Sequence, residues 1–152
     1  VINSSLFTDK ELVVTLVEKY GSQSIVASVD YNGQDVYIND GTQKIDSNLS
    51  EYIKYIESLN VGEIYLNSIE KDGTGFGYDI ETIKQVSSFI SKPLIIAGGA
   101  GNENHLIEGL ELEHVSAVAT ANLFNFIGNG LPNARIKAIQ SKCNLANWHK
   151  AD

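Results

Sequence analysis

The chain has 152 residues, a length that suits one domain with a sizeable hydrophobic core. Apolar residues make up 43% of it and charged residues 20%, as in ordinary globular proteins. Its 11 basic and 19 acidic residues give a net charge of −8, which argues against nucleic acid or an anionic membrane as the main partner, because both require clustered Lys and Arg.

The cysteine and histidine content argues against disulfides and metal sites. Cys143 is the single cysteine, so no disulfide can form within the chain. His105, His114 and His149 lie far apart in sequence and share no metal-ligand spacing. We therefore expect no metal site and no cofactor. No apolar run approaches the ~20 residues of a membrane span, so the expected location is the cytoplasm.

Secondary structure is predicted in chain order from hydrophobic periodicity and capping signals. Residues 1–3 look like the end of a strand, and we expect the sequence to be part of a longer protein because it lacks an initiator Met. Thr8 and Glu11 predict a capping box, and Gly21 ends the helix that follows it. A β-branched run at residues 24–30 then predicts a strand.

The middle of the chain continues with β and α signals. Asn32-Gly33 predicts a hairpin that includes a short strand at residues 36–38. Asn48 caps the next predicted helix, and residues 63–69 form the next predicted strand. The apolar face of that helix consists of Leu49, Tyr52, Ile53, Ile56 and Leu59.

A glycine-rich loop at residues 70–78 leads to Asp79, the predicted cap of a helix that runs to about Ile90. The strand that starts at Pro93 ends in the glycine turn, residues 98–101. Because glycine permits positive φ and close backbone approach, a strand, a glycine turn and a helix N-terminus together predict a site for an anion, usually phosphate. The remaining predicted elements are a helix at 104–112, a strand at 115–121, a helix at 132–139 and a polar tail.

This alternation of strands and helices predicts a parallel sheet with crossover helices. The chain has no Rossmann or P-loop glycine motif, so a (βα)8 barrel or part of one is favoured over a doubly wound sheet. Asp30, residues 70–74, the glycine turn and Asn122 then lie at or just beyond the carboxyl ends of strands, the face that carries active sites in barrels. We predict one domain over residues 1–142 and a tail over residues 143–152.

Three ordered motifs resemble the cyclase subunit family of imidazole glycerol phosphate synthase. They are residues 21–30, residues 62–74 with the following Gly77-Tyr78-Asp79, and residues 95–101 with His105. The resemblance covers roughly residues 1–140. It implies an α/β fold, the C-terminal half of a (βα)8 TIM-type barrel that contains barrel strands five to eight and the end of strand four with its helix.

The resemblance also implies an ammonia-dependent lyase or cyclase. Members of the family take ammonia from a glutaminase partner, and they cleave and cyclise a ribulosyl aminoimidazole substrate that carries two phosphates. Asp30 matches one of two acid/base aspartates, and the other belongs to the half of the barrel outside this sequence. Glu63 matches a charged residue at the ammonia entrance, on the opposite face of the barrel.

Further residues match the family's substrate-binding positions. One phosphate site corresponds to the glycine turn, and the other to the start of the chain. The loop after the second motif contributes to the same mouth. The expected phosphate and substrate residues are Asn3, Ser4, Asn67, Asp72, Gly73, Thr74, Gly98, Gly99 and Asn122.

Departures from the family pattern leave an alternative open. Asn67 stands where the family usually has Thr, Ala97 where it has Ser, Glu70 where it has Asp, and Asn122 where it has Ser or Gly. Residues 125–134 look more like a second branch of the family, associated with surface-polysaccharide synthesis. Members of that branch are thought to channel ammonia to a sugar-amidinating enzyme. A third hypothesis is an isolated half-barrel that is inactive alone and forms a homodimer.

Each candidate also has a purely local explanation. Asp30 could terminate a strand, residues 72–74 could form a plain turn, and Asn122 could cap the next segment. The glycine turn could serve only tight strand-to-helix packing. His105, inside a short helix, is interpreted as a surface or packing residue.

Overall fold

The computed structural model describes residues 1–121, 123–124 and 129–146. Its strands are β1 (Val26–Asn32), β2 (Asp35–Ile38), β3 (Gln43–Asn48), β4 (Glu63–Ser68), β5 (Leu94–Ala97) and β6 (Val115–Val118). Its helices are α1 (Ser5–Thr8), α2 (Lys10–Tyr20), α3 (Leu49–Ser58), α4 (Ile80–Ser87), α5 (Glu103–Leu110) and α6 (Gly130–Gln140). A short 3₁₀ helix at Ser22–Ser24 precedes β1.

The strands form a six-stranded sheet in the order β3-β2-β1-β4-β5-β6. Strands β1, β4, β5 and β6 are parallel neighbours, whereas β2 and β3 extend the sheet as an antiparallel hairpin. Helices lie between the parallel strands in the chain, as crossover connections require. The predicted α/β fold is confirmed, and the described chain is a partial barrel.

The first residues of the chain pair with β1. Ile2 forms a parallel bridge with Ala27. The Ile2 N–H donates to the Val26 carbonyl at 2.9 Å, and the Ser28 N–H donates to the Ile2 carbonyl at 2.7 Å. The prediction that the chain opens on the end of a strand is therefore confirmed.

The sheet separates a buried apolar face from a half-buried polar one. On β1 and β4 alternate residues are buried, and the residues between them are only half-buried. The buried set belongs to the hydrophobic core, together with the inward faces of α3 and α4. The half-buried set includes Ser28, Asp30, Tyr65 and Asn67. The side chains of the candidate site therefore lie on the face of the sheet opposite the helices.

Several predicted caps are confirmed and one is wrong. The Asn48 side chain accepts the Glu51 N–H at 3.0 Å, and the Asp79 side chain accepts the Thr82 N–H at 3.3 Å. Thr8 does not cap α2. Its neighbour Asp9 does, accepting the Leu12 N–H at 2.9 Å. The Thr8 hydroxyl instead donates to the Ser4 carbonyl, because Thr8 is already the last residue of α1.

Other element boundaries also differ from the prediction. Helix α5 begins at Glu103, with Asn102 as its cap, and β6 ends at Val118. The turn of the first hairpin is centred on Gly33 and its successor, because Asn32 still pairs with Asp35. Strand β3 was not predicted, since its single buried apolar residue, Ile45, leaves no alternating pattern to detect.

The described part of the predicted tail contacts α6. The Cys143 N–H donates to the Ala138 carbonyl at 3.0 Å, and the Arg135 side chain donates to the Ala146 carbonyl at 2.6 Å. Residues 147–152 lie outside the described residues, so the domain boundary at residue 142 stays a prediction. None of the helices in the described ranges is long and apolar enough to cross a membrane.

Candidate functional site

Asp30 lies at the carboxyl end of β1 and is held by two amide side chains. Its register partner on β4 is Asn67, whose Nδ2 donates to Asp30 Oδ1 at 3.0 Å. From the start of the chain, Asn3 Nδ2 donates to Asp30 Oδ2 at 3.4 Å. Each carboxylate oxygen therefore has one amide donor, and the carboxylate is oriented from both sides.

The surroundings of Asp30 alter its acidity. Burial raises the pKa of Asp30, and the hydrogen bond from Asn67 opposes that rise. The negative charges of Asp40 and Asp72 raise the pKa of Asp30 further, and the net shift is upward. A carboxyl group with a raised pKa in a half-buried position is suited to exchange protons with a bound molecule.

Asn3 and Ser4 link Asp30 to the β2–β3 hairpin. Asn3 Nδ2 also donates to the Ser28 carbonyl at 3.0 Å, and the Ser4 hydroxyl donates to Asn3 Oδ1 at 3.3 Å. The Ser4 hydroxyl in turn accepts the Asn39 N–H at 3.0 Å. The sequence contained no signal for Asn39, because this contact joins residues that are distant in the chain. The phosphate role of Asn3 and Ser4 stays a prediction.

The glycine turn has a conformation that requires glycine. Gly98 has φ +88° and Gly99 has φ +108°. A Cβ atom on Gly98 would overlap the Ser68 carbonyl oxygen, and one on Gly99 would overlap the Gly77 carbonyl oxygen. Both positions therefore require glycine because the turn packs closely against the backbone of Ser68 and Gly77.

The 70–78 loop lies directly against the glycine turn. The Gly77 N–H donates to the Gly99 carbonyl at 2.8 Å. Between the two segments opens a cavity of about 310 Å³ that is lined by the glycine turn, Asp72, Gly73 and Gly75, and by residues that follow β6. The structure thus brings Asp72, Gly73, Gly98 and Gly99 together, as the sequence predicted.

Thr74 is placed differently from these loop residues. Its hydroxyl donates to the Lys71 carbonyl at 2.7 Å and accepts the Phe76 N–H at 3.3 Å. It stabilises the loop from within and is not among the residues that line the cavity. A direct contact between Thr74 and a substrate stays a prediction.

The N-terminus of α5 is already capped by its own residues. Asn102 Oδ1 accepts the Asn104 N–H at 2.9 Å and the His105 N–H at 3.2 Å. The Gly101 N–H donates to His105 Nδ1 at 3.1 Å. The N–H groups of Gly101, Asn104 and His105 therefore have partners within the protein, and a phosphate role for Gly98 and Gly99 stays a prediction.

Two predicted site residues lie elsewhere. Glu63 begins β4 and pairs with Val26, at the end of the sheet opposite Asp30 and Asn67. That position agrees with the opposite barrel face implied for an ammonia gate, and the gate role stays a prediction. Asn122 lies outside the described residues, as do residues 125–128, which begin the segment that resembles the second branch of the family.

Comparisons with known proteins identify a family that matches most of this chain. A family model described as "Histidine biosynthesis protein" matches residues 1–128. "Putative imidazole glycerol phosphate synthase subunit hisF2" of Parasynechococcus marenigrum is 38% identical over 152 residues, which cover 97% of this chain and 56% of that protein. "Imidazole glycerol phosphate synthase subunit HisF" of Hydrogenobaculum sp. is 38% identical over 136 residues, covering 86% and 54%.

A second protein named as subunit hisF2, from Pseudomonas aeruginosa, is 37% identical over 132 residues, covering 84% of this chain and 53% of that protein. The chain thus spans about half the length of the curated relatives that it matches. The family model covers far more than half of the chain, and the partial barrel agrees with it. The chain belongs to the histidine biosynthesis protein family.

Proposed function

We propose that the chain forms part of the cyclase subunit of an imidazole glycerol phosphate synthase, with Asp30 as one acid/base group and the glycine turn as one phosphate site. One observation carries the proposal. Asp30 pairs with Asn67, Asn67 pairs with Ala97, and Ala97 leads into Gly98. The carboxylate and the glycine turn therefore lie at the same end of the sheet, two strands apart.

That spacing suits a substrate held by a remote phosphate. Two strand spacings correspond to ~10 Å, so a phosphate in the turn leaves the reacting part of an extended substrate near Asp30. Binding energy from the phosphate can then position the substrate for proton transfer. The raised pKa of Asp30 and its two amide donors support a group that takes a proton in one step and returns it in another.

In this proposal ammonia comes from a glutaminase partner and adds to the bis-phosphorylated ribulosyl aminoimidazole. Cleavage and ring closure then require proton transfers, and Asp30 supplies some of them. The second aspartate implied by the family resemblance lies outside this chain. Glu63, at the opposite strand end, would face the route by which ammonia enters.

The second candidate function is a conduit that passes ammonia to a sugar-amidinating enzyme. This function is supported by the side chains at the two strand positions between Asp30 and the glycine turn, Asn67 and Ala97. Asn67 uses its amide on Asp30, and Ala97 is 5% exposed and carries no polar group. The hydroxyls expected there from the family are absent from the sequence, and two of the relatives are named hisF2.

Turnover by the full-length protein separates the two functions. With the aminoimidazole substrate and ammonium, the wild-type protein is expected to form product, whereas Asp30→Asn abolishes turnover and retains phosphate-ligand binding. Asp46→Asn, a change of an exposed carboxylate on β3, is the matched control and retains activity. Absence of product from the wild-type protein supports the conduit, and full activity of Asp30→Asn removes the acid/base assignment.

A further inference from the structure

His105 contacts both the last residue of the glycine turn and the cap of α5. The Gly101 N–H donates to His105 Nδ1 at 3.1 Å, and Asn102 Nδ2 lies 3.2 Å from His105 Nε2. The Asn102 side chain cannot rotate its amide freely, because its Oδ1 accepts the N–H groups of Asn104 and His105. The imidazole is therefore bordered by donors at both nitrogens.

A neutral imidazole accepts a hydrogen bond at only one nitrogen. We assign Nδ1 as the acceptor, because the direction of the Gly101 backbone N–H is fixed. The ring hydrogen is then on Nε2, and Asn102 Nδ2 lies beside it as a second donor that makes no hydrogen bond to the ring. This arrangement resembles a capping box displaced by one residue, in which a side chain from the first helical turn reaches back to a backbone N–H before the helix. Gln is a common residue in the reaching position of such boxes.

The same ring lies beside the 70–78 loop. A Cβ atom added to Gly77 would lie 3.5 Å from His105 Cδ2, within van der Waals contact. Gly77 is the residue whose N–H donates to the Gly99 carbonyl at 2.8 Å. The His105 side chain thus accepts a hydrogen bond from the end of the glycine turn and lies beside Gly77, the loop residue that is hydrogen-bonded to the centre of the turn.

We propose that His105 is a positioning residue of the anion site, which holds Gly101 beside Gly77 so that residues 98–100 keep the shape that accepts a phosphate group. The inference rests on the proposed function, in which this turn binds phosphate. Glycine segments lose the most conformational freedom on ordering, and a turn that is already fixed binds its ligand at a lower entropic cost. His105 fixes a segment that has almost no side chains of its own.

Three variants of the intact protein test this role. His105→Leu fills the space without an acceptor, His105→Gln restores an acceptor that can reach the Gly101 N–H, and His114→Asn changes a histidine remote from the turn as the control. His114 has φ +72°, a conformation that Asn tolerates. The probes are inorganic phosphate affinity, hydrogen exchange of the Gly101 amide, and the separate KM and kcat values for substrate.

In His105→Leu, loss of one hydrogen bond predicts a phosphate Kd about fivefold to tenfold higher and Gly101 exchange faster by a similar factor. KM rises while kcat changes little, because the phosphate interaction weakens equally in the ground state and in the transition state. His105→Gln recovers most of both losses, and His114→Asn matches the wild type. Wild-type phosphate affinity with unchanged Gly101 exchange in His105→Leu would overturn the proposal.

Two further outcomes keep this inference separate from the proposed function. A wild-type protein that binds no phosphate contradicts the anion site itself, and Gly101 exchange in the variants still decides whether His105 fixes the turn. If His105→Leu does not fold, the imidazole ¹⁵N shifts of the wild type give the answer. An unprotonated Nδ1 is expected, and a protonated Nδ1 overturns the hydrogen bond on which the proposal depends.

Discussion

Asn67 Nδ2 donates a 3.0 Å hydrogen bond to Asp30 Oδ1 across two parallel strands on which the residues are register partners. The bond favours the charged carboxylate, whereas burial and the nearby Asp40 and Asp72 favour the neutral one. Asn67 is therefore a hydrogen-bond donor to the candidate acid/base group, and its contact with substrate stays a prediction.

Replacement of Asn67 by Leu is therefore expected to raise the pKa of Asp30 above its wild-type value. The change removes the hydrogen bond that lowers this pKa and leaves the burial in place. Titration of the Asp30 carboxyl carbon by NMR measures the shift directly. Under the proposed function, the acid limb of the pH–rate profile of the full-length protein also moves to higher pH. The exposed Asn60→Ala is the control, and an unchanged Asp30 titration in Asn67→Leu would falsify the assignment.

The hydroxyls of Tyr52 and Tyr55 predict opposite effects on stability. Tyr52 is 3% exposed, and among the described residues its hydroxyl has no hydrogen-bond partner. The Tyr55 hydroxyl donates to the Leu6 carbonyl at 2.7 Å. Tyr52→Phe should stabilise the protein by about 1 kcal/mol, and Tyr55→Phe should destabilise it by about 1 kcal/mol. Urea unfolding of both variants checks the signs, and equal effects would contradict the difference in pairing.

Glu57 predicts a loss of stability at acid pH. Its carboxylate accepts the Ser91 hydroxyl at 2.6 Å and lies 3.6 Å from Lys92 Nζ, with side-chain exposures of 17% for Lys92 and 16% for Glu57. Burial raises the pKa of Glu57, but the Ser91 hydrogen bonds and the Lys92 charge outweigh it, and the net pKa is below the ordinary 4.5.

A carboxyl group with a lowered folded-state pKa stabilises the fold above its unfolded pKa, and this stabilisation is lost as the pH falls through the folded value. The unfolding free energy of wild type should therefore exceed that of Glu57→Gln by about 1–2 kcal/mol at neutral pH. The difference should shrink below pH 4.5. Glu113→Gln, at a side chain that is 90% exposed, is the control. A difference that persists at low pH would rule out the charged interaction.

Side chains added to the glycine turn are expected to destabilise the fold strongly. Gly99→Ala places a Cβ against the Gly77 carbonyl in addition to the strain of positive φ. Gly33→Ala carries the strain alone, because no atom lies within 4 Å of its added Cβ. We expect about 1 kcal/mol of destabilisation for Gly33→Ala and about 3 kcal/mol or more for Gly99→Ala. Thermal unfolding measures both, and inorganic phosphate binding should be lost only in Gly99→Ala.

Association of the isolated chain follows from its exposed apolar side chains. Phe7, Leu12 and Val14 are 42–49% exposed near the start, and Leu131 and Ile136 are 51% and 54% exposed on α6. Such surfaces favour burial against a partner. We expect the chain alone to be inactive and to form a homodimer in sedimentation at micromolar concentration. A monomer under those conditions would contradict the expectation.

The sequence alone predicted the alternation of strands and helices and the caps at Asn48 and Asp79, because those signals are local. It also predicted that Asp30 and the glycine turn share one end of the sheet, since carboxyl ends of parallel strands meet there. It missed β3, because that strand has a single buried apolar residue and so shows no alternation of apolar and polar residues. It placed one cap at Thr8 because Thr8 and Asp9 are both good caps, and only the preceding helix α1 decides between them.

What only the tertiary structure decided are the contacts between distant residues. Asn67 and Asn3 on Asp30, Asn39 on Ser4 and Gly77 on the glycine turn join residues that are far apart in the chain. A sequence lists which residues carry donors and acceptors, but register and crossover geometry choose the pairs. For the same reason His105 looked like a packing residue in sequence and became, in the fold, the side chain that holds the turn.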